Sequence, residues 1–413
     1  MKRVVATQED FPVKMLRDKD KAKGVIKIFK KYDCLKVKKF GVAYLERLGF
    51  FTKDADSIID VLLTADLRGK PSHGILRLPH YVERYLNKTI KIHPNMQFKD
   101  VAGASAVLDA DDAAGQVAGV MAMDKAIEIA KTQGVGIVPV IRSSHNGIAG
   151  YYADRAAKEN LVGLAMTHTD SNTVPFGAAE PYLGTNAIAF SAPASGVHPL
   201  SIDFCTSKIS YGKVYDSQVN GVPLTKRSAM DKEGHFTTDP NQAEYMVSAA
   251  EHKGYGLGLM VEVLCAHLTG IPFTKHITDM YKEIDKPRNL GQFYLAIDIA
   301  KFIPPGIFKK NIQHMINDLH NLKTDADHDQ VRVHGEQSYS NQMRNERDGI
   351  PLEETLVCEL SVMAAARGIH FPQSKDYRCS TQLVDSSRQD HQQTQHSKGS
   401  YLRHDLPKFR QTH

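Results

Sequence analysis

Residues 116–147 read QVAGVMAMDKAIEIAKTQGVGIVPVIRSSHNG. The alanine-rich first part predicts a helix over residues 116–131 that ends near Gly134. Residues 135–140 are a short apolar run with the length of a buried strand. A polar cluster follows at once: Arg142-Ser143-Ser144-His145-Asn146-Gly147. A helix, a buried strand and a histidine at the strand's carboxyl end form the unit of an α/β sheet, with its ligands at the strand ends. Imidazole titrates near neutral pH, so His145 can move a proton there. A loop histidine can equally be a partner of nearby backbone, and this cluster alone leaves both readings open.

Outward from this stretch the pattern continues. Residues 106–108 and 161–166 read as further strands, and residues 256–268 as a helix closed by Gly270. Upstream, Thr52 is placed to cap a helix with Asp54 and Asp56 in its first turn. Ile58, Val61, Leu62 and Ala65 then form one apolar stripe, and Gly69 stops it. Downstream, residues 352–367 predict a terminal helix with Pro351 in its first turn and Gly368 closing it. An α/β core is therefore expected between helical segments from both chain ends.

The chain has 413 residues, 42% hydrophobic and 24% charged, a globular composition that excludes wholesale disorder and collagen-like repeats. No apolar run is long enough to cross a membrane, and Glu9 and Asp10 interrupt any signal-peptide core, so a cytoplasmic protein is expected. Cys34, Cys205, Cys265, Cys358 and Cys379 are an odd, scattered set without Cys-x-x-Cys, which fits reduced thiols. Residues 1–40 carry 13 basic and 5 acidic side chains, or +8, and residues 374–413 carry 7 and 4, or +3. The remainder holds 32 basic and 38 acidic residues, or −6, which restores the overall +5. The basic excess thus lies at the ends: a basic N-terminal arm over residues 1–40 and a polar, poorly ordered tail over 374–413. With the body mildly acidic, no nucleic-acid partner is expected.

Two further clusters carry chemistry. Within residues 66–79, Ser72, His73 and Arg77 precede Tyr81, and His73, Arg77 and Tyr81 stand four residues apart. On a helix they would share a face, but Pro79 prefers a first turn, which leaves His73 in the loop before it. Either arrangement sets a proton donor beside a planar fork suited to a carboxylate. A capped helix start with a surface arginine explains the same spacing. In Glu251-His252-Lys253-Gly254-Tyr255-Gly256, Lys253 and a helix amino end make an anion site, although a tight turn is the simpler reading. No Gly-x-Gly-x-x-Gly fingerprint is present there. Residues 325–336 imitate a calcium loop but place Gln330 where glycine is required and Arg332 where an apolar residue belongs, so no metal is expected. His-Glu-x-x-His and Gly-x-Ser-x-Gly are absent.

Taken in order, these blocks resemble the type-2 malate/L-lactate dehydrogenase family. The resemblance spans about residues 45–368 and rests on 65–79, on Ser144-His145-Asn146-Gly147 through Tyr152, and on Pro175-Phe176-Gly177 with Leu183-Gly184-Thr185-Asn186. It continues through Asp203 to Val214, Thr237-Thr238-Asp239-Pro240, Lys253-Gly254-Tyr255-Gly256, and Gly335-Glu336 before Gly349-Ile350-Pro351.

That resemblance implies a non-Rossmann NAD(P)-binding domain with a mixed, largely antiparallel sheet over residues 101–304. A helical substrate and dimerisation domain would come from residues 41–100 and 305–373, and the protein would be a homodimer. It implies hydride transfer between NAD or NADP and a small 2-hydroxy/2-oxo acid of the malate or lactate type. His145 is then the acid/base, with His73 and Ser72 in the same site; Arg77 holds the carboxylate, and Tyr81 lies on the substrate side. Asp203, Phe204, Cys205, Lys253 and Gly254 would contact the cofactor, with Gly335 and Glu336. The alternatives are a cyclic imine reductase of the same fold, acting on pyrroline- or piperideine-2-carboxylate, and a non-catalytic binding relative. Ala178, Ala187, Cys205, Gln292 and His334 depart from the family pattern, as do residues 247–251 beside Lys253, which the resemblance places next to the cofactor phosphates, so that they bear on cofactor affinity and on NAD against NADP.

Overall fold

The computed structural model describes residues 28–376; residues 1–27 and 377–413, Cys379 among them, lie outside the described residues. The chain runs β1 (Phe29–Tyr32), α1 (Cys34–Leu48), α2 (Thr52–Leu67) and α3 (Leu78–Leu86). Next come β2 (Gln97–Ala102), β3 (Ser105–Asp109), α4 (Gly115–Gln133), β4 (Val135–Ser143), α5 (Gly150–Lys158) and β5 (Leu161–Thr167). β6 (Thr173–Val174), β7 (Ala187–Ala192), β8 (Leu200–Cys205) and α6 (Tyr211–Asn220) lead to β9 (Ala229–Met230), β10 (Phe236–Thr237) and β11 (Tyr245–Val247). The chain closes with α7 (His252–Glu262), β12 (Leu290–Asp298), α8 (Pro305–His320), α9 (Glu336–Asp348), β13 (Ile350–Glu353) and α10 (Glu354–Ala365).

Seven strands make the main sheet in the order β2-β3-β4-β12-β5-β7-β8. Only β3 and β4 run parallel; every other neighbouring pair is antiparallel. This is the mixed, largely antiparallel α/β sheet that the family resemblance implies, not a doubly wound one. On one face α4 buries Ala118, Ala122, Ala126 and Ala130, a row of small side chains that lets helix and sheet approach closely. On the other, Met166, Ile188 and Phe293 pack against Val261 and Cys265 from α7 and the helical turn after it.

The helical segments make a second core. Phe40, Tyr44, Ile58, Leu62, Leu78, Tyr81 and Leu360 are buried together, drawn from both ends of the described chain. Burying each such aliphatic side chain stabilises the fold by about 1.5–3 kcal/mol. The stripe on α2 serves both cores: Ile58 and Leu62 face the helices, whereas Val61 joins the sheet core. α2 thereby ties the helical layer to the sheet at the level of Gly147, where an added Cβ would press on Val61.

Several local expectations are corrected. Phe51, not Thr52, holds the cap position of α2, and the Thr52 hydroxyl bonds Glu46 Oε1 at 2.5 Å instead. Pro351 lies in β13 opposite Lys31, and α10 begins at Glu354. A proline is tolerated there because the two-stranded β1–β13 ribbon has free edges. α7 begins at His252, four residues earlier than the apolar run indicates. The basic segment 1–40 contains β1 and the start of α1, because Val37 and Phe40 have a core to enter. At the other end, Asp376 accepts a bond from the Lys31 N–H at 2.9 Å.

Candidate active site

The end of β4 delivers the His145 loop, and buried hydrogen bonds fix it. The Ser144 hydroxyl accepts from Gly115 N–H at 2.8 Å and donates to the Ala113 carbonyl at 3.0 Å. The Gln292 amide donates to the Ser144 carbonyl at 2.8 Å from the neighbouring strand. Asn146 donates to the Tyr294 hydroxyl at 3.0 Å, and the Tyr152 hydroxyl donates to the Asn146 carbonyl at 2.5 Å. Almost every polar group of this loop is satisfied by protein, so His145 is held by a rigid scaffold.

The second segment comes from the chain before α3. His73 sits in a short helical turn, Pro71–His73, and Arg77 ends the next one, Ile75–Arg77. Pro79 stands in the first turn of α3, as its fixed φ demands, so His73, Arg77 and Tyr81 do not share one helix. What folds this segment is Asp66, buried at the end of α2. Its carboxylate accepts the Ile75 N–H at 2.7 Å, and a Cβ on Gly74 would overlap it. Burial pushes the Asp66 carboxyl up to about 8, against the pull of that N–H.

The two segments meet. Tyr81 Oη lies 2.6 Å from His145 Nδ1, and the rings of His73 and His145 stack with centroids 5.6 Å apart. Ser72 Oγ is 3.0 Å from His73 Nδ1, which sets that ring's orientation. Arg77 Nε donates to the Ser72 carbonyl at 2.6 Å, and its Nη1 donates to the Tyr281 hydroxyl. Burial, with His73, Arg77 and Arg288 nearby, holds the His145 imidazole well below the usual histidine range. Burial and Arg77 push His73 down to about 4. Both imidazoles are therefore neutral at rest, beside a permanent cation.

The residues expected on the cofactor side are also drawn together. Lys70 reaches from the same loop to Asp203 Oδ2 at 2.8 Å, joining the Ser72–Arg77 turn to the end of β8. Phe204 is partly exposed, and Cys205 Sγ accepts from the Ser207 hydroxyl at 3.2 Å. Ser207 forms a bridge with Ser248, which brings Lys253 and Gly254 alongside. A Cβ on Gly254 would overlap the Ala249 carbonyl, so only glycine permits this entry into α7. Gly335 packs on the Ser201 carbonyl, near Asp203. The Glu336 carboxylate is engaged locally, accepting from Val333 N–H at 3.0 Å and meeting His320 Nε2 at 2.5 Å.

Sequence reading missed Tyr281, Asp66 and Lys70. Asp66 and Lys70 lie inside the 66–79 cluster but look like ordinary surface charges. Tyr281 comes from a loop 204 residues from Arg77 and carries no local signal. The imitation calcium loop closes on itself, with His328 Nδ1 2.6 Å from Asp325 Oδ1.

A carboxylate fork beside neutral, stacked imidazoles suits an oxidoreductase that moves a proton with a hydride. The sequence model of the malate/L-lactate dehydrogenase family matches residues 33–361, and the chain belongs to that family. It is 34% identical over 308 residues to ureidoglycolate dehydrogenase (NAD(+)) of Escherichia coli K12, covering 75% of this chain and 88% of that one. It is 35% identical over 340 residues to malate dehydrogenase of Pyrococcus abyssi, covering 80% and 93%. A third relative, 33% identical over 330 residues with 79% and 96% covered, is (2R)-3-sulfolactate dehydrogenase (NADP(+)) of Chromohalobacter salexigens. Among solved structures, malate dehydrogenase of Entamoeba histolytica superposes with a TM-score of 0.80 at 29% identity, covering 84% of this chain and all of that one. The Δ1-piperideine-2-carboxylate reductase of Pseudomonas syringae gives 0.74 at 26% identity, covering 81% and 100%. The chain is thus an NAD(P)-dependent dehydrogenase of this hydroxy-acid family.

Proposed function

We propose that this enzyme interconverts a small 2-hydroxy acid and its 2-oxo acid, with His145 as acid/base and Arg77 as carboxylate clamp. The observation that supports it most is the meeting of Tyr81 and His145 at 2.6 Å beside half-buried Arg77 and His73, from segments far apart in sequence. NAD or NADP, when bound, supplies or takes the hydride at the substrate C2. The residues present fit such a group. Gly254 lets the amino end of α7 pack against the Ala249 carbonyl beside Lys253, and the Ser207–Ser248 bridge sets that turn next to the end of β8, which carries Asp203, Phe204 and Cys205. Glu336, already engaged by His320 and Val333, contributes its position at the start of α9.

In the oxidation direction the neutral His145 imidazole takes the hydroxyl proton. With Nδ1–H donating to Tyr81, Nε2 is free for that proton, and the Tyr81 hydroxyl stabilises the resulting imidazolium. In the other tautomer Nδ1 accepts from the Gly147 N–H at 3.3 Å, and Tyr81 can donate instead. A substrate carboxylate paired with Arg77 cancels one of the charges that depress His145, so substrate binding itself strengthens the base. The same pairing orients C2 and favours oxo acids over simple ketones. Ser72 fixes His73, which lines the site as a neutral ring.

The exposed Leu257, Val263 and Leu268 on and after α7 support a homodimer, which light scattering tests. No helix among the described residues is long and apolar enough to cross a membrane, and Cys34, Cys205, Cys265 and Cys358 are free thiols, which suits the cytoplasm. The function is tested with NADH and NADPH against oxaloacetate, pyruvate, sulfopyruvate, oxalurate and a cyclic imine. Turnover of an oxo acid is the expected result. Exclusive turnover of the imine would favour the second reading, which the likeness to the Pseudomonas syringae reductase supports. Failure to bind either nucleotide would overturn the dehydrogenase reading.

A further inference from the structure

Among the described residues Arg84 is the largest of the fully buried side chains, 1% exposed, and it takes no part in the chemistry proposed above. It stands on α3, three residues beyond Tyr81, and its donors go to the segment that precedes β12. Nη2 donates to the Met280 carbonyl at 2.7 Å and reaches the Asp279 carbonyl at 3.5 Å. Nη1 donates to the Lys286 carbonyl at 3.1 Å, and Nε to His80 Nε2 at 3.4 Å. None of these acceptors is a carboxylate. Burial, with Arg288 nearby, pulls the guanidinium down to about 10, so it stays charged at neutral pH. A buried cation without an acidic hydrogen-bond partner is costly, and an apolar side chain of similar size would avoid that cost. What the guanidinium offers instead is a planar spread of donors that can hold several carbonyls at once.

The segment it holds leads to the substrate side. The Thr89 hydroxyl, just past α3, adds the Ile284 carbonyl at 3.3 Å, so α3 and the turn after it grip Asp279, Met280, Ile284 and Lys286 by their carbonyls. Tyr281 lies inside that span. Its N–H donates to Asp279 Oδ1 at 2.8 Å, while Arg84 holds the carbonyl of the preceding residue. The Tyr281 ring packs on His80 with centroids 5.4 Å apart, and its hydroxyl accepts from Arg77 Nη1. Arg77 Nε is on the Ser72 carbonyl, so two of its N–H groups are fixed and the remainder can meet a carboxylate.

We infer that Arg84 is a positioning residue of the carboxylate clamp, acting through the Met280 carbonyl on Tyr281 and through Tyr281 on Arg77. This rests on the clamp reading above and extends it to a residue that acts only through others. α3 then serves both parts of the chemistry: Tyr81 meets the acid/base, and Arg84, one turn on, sets the clamp.

The test uses the full chain, NADH or NADPH, and the best substrate among oxaloacetate, pyruvate, sulfopyruvate and oxalurate. Arg84→Met keeps the side chain's length and removes its donors. It should raise the KM of the oxo acid by about 5- to 20-fold and change kcat by less than about threefold, with nucleotide affinity unmoved in a fluorescence titration. Tyr281→Phe should raise KM to a similar extent. In the Tyr281→Phe background Arg84→Met should add less than about twofold, because the hydroxyl through which it acts is gone. Effects that simply multiply overturn the inference. So does a folded Arg84→Met variant whose KM is unchanged, even where its thermal midpoint and kcat fall, since that marks a structural anchor only. Should Arg84→Met fail to fold, Arg84→Lys carries the same cycle. It keeps the charge but loses the planar fork, so KM should rise by about threefold, and the rise should vanish beside Tyr281→Phe. An unchanged KM in that variant overturns the inference. Where Arg77→Lys raises KM and the Arg84 variants do not, this inference alone fails. Where Arg77→Lys leaves KM unchanged, the clamp reading fails with it.

Discussion

The proposed substrate half and the proposed cofactor half of this site are built on opposite plans. Around His145, side chains do the holding: Ser144, Asn146, Gln292, Tyr294 and Tyr152 form a buried network, and Asp66 and Tyr281 fix the facing turn. Around Lys253, the backbone does it, through a glycine that clears the Ala249 carbonyl and a bridge between Ser207 and Ser248. The difference suits what each half is proposed to handle. Proton transfer tolerates little displacement, so reacting groups need crossed hydrogen bonds and low solvent access. A long dinucleotide makes many weaker contacts and needs shape more than any one side chain.

Changes that break one half and spare the other test this contrast. The largest effect is expected from His145→Ala, which should lower kcat by about 10³-fold or more while nucleotide affinity in a fluorescence titration stays near wild type. Loss of both together would show that His145 is structural. Next is Gly254→Ala, whose methyl would overlap the Ala249 carbonyl. It should weaken nucleotide binding by about 10- to 100-fold, and the thermal midpoint should fall by several degrees, about 1–3 kcal/mol of overpacking. An unaltered dissociation constant would remove Gly254 from the cofactor half.

Arg77→Lys keeps the charge but loses the planar fork, and should raise the KM of the oxo acid by about tenfold with a smaller change in kcat. Arg77→Gln sharpens the electrostatic side. Arg77 is one of the cations that lower His145, so its removal should raise the imidazole's pKa. Oxidation needs the neutral imidazole, so its acid limb in kcat/KM should move to higher pH; a limb that stays in place would exclude His145 as the titrating base. The smallest effect is expected from Lys70→Met. Its ion pair with Asp203 is partly exposed and is worth about 0–1 kcal/mol, so the nucleotide dissociation constant should change by no more than about fivefold.

The two halves also differed in how far they could be read. The α4–β4 unit was legible because an alanine-rich helix and an apolar strand each declare their period within a few residues, and the observed bounds differ from the expected ones by at most three residues. His145, Arg77 and Tyr81 stood out as polar types at element ends. Thr52 and Pro351 misled for the same local reason: a cap residue and a first-turn proline are propensities that pairing with β1, or the Thr52 hydroxyl's bond to Glu46, overrides. The sheet's direction was not legible from strand composition. It came from the resemblance, because a strand buried on both faces reads alike whether its neighbours run with it or against it.

By itself the sequence determined the α/β alternation, the mildly acidic body between basic ends, and the residue types able to clamp a carboxylate and exchange a proton. Those are properties of short windows, set by side-chain period, charge and turn chemistry. Only the tertiary structure decided that His73 would stack on His145, that Tyr281 would hold Arg77 and that Lys70 would reach Asp203. It alone brought buried Arg84 to the carbonyls of the segment that carries Tyr281. Each of these depends on contacts between residues distant in the chain, or on burial, which sets what a neighbouring charge is worth; neither is written in any window of the sequence.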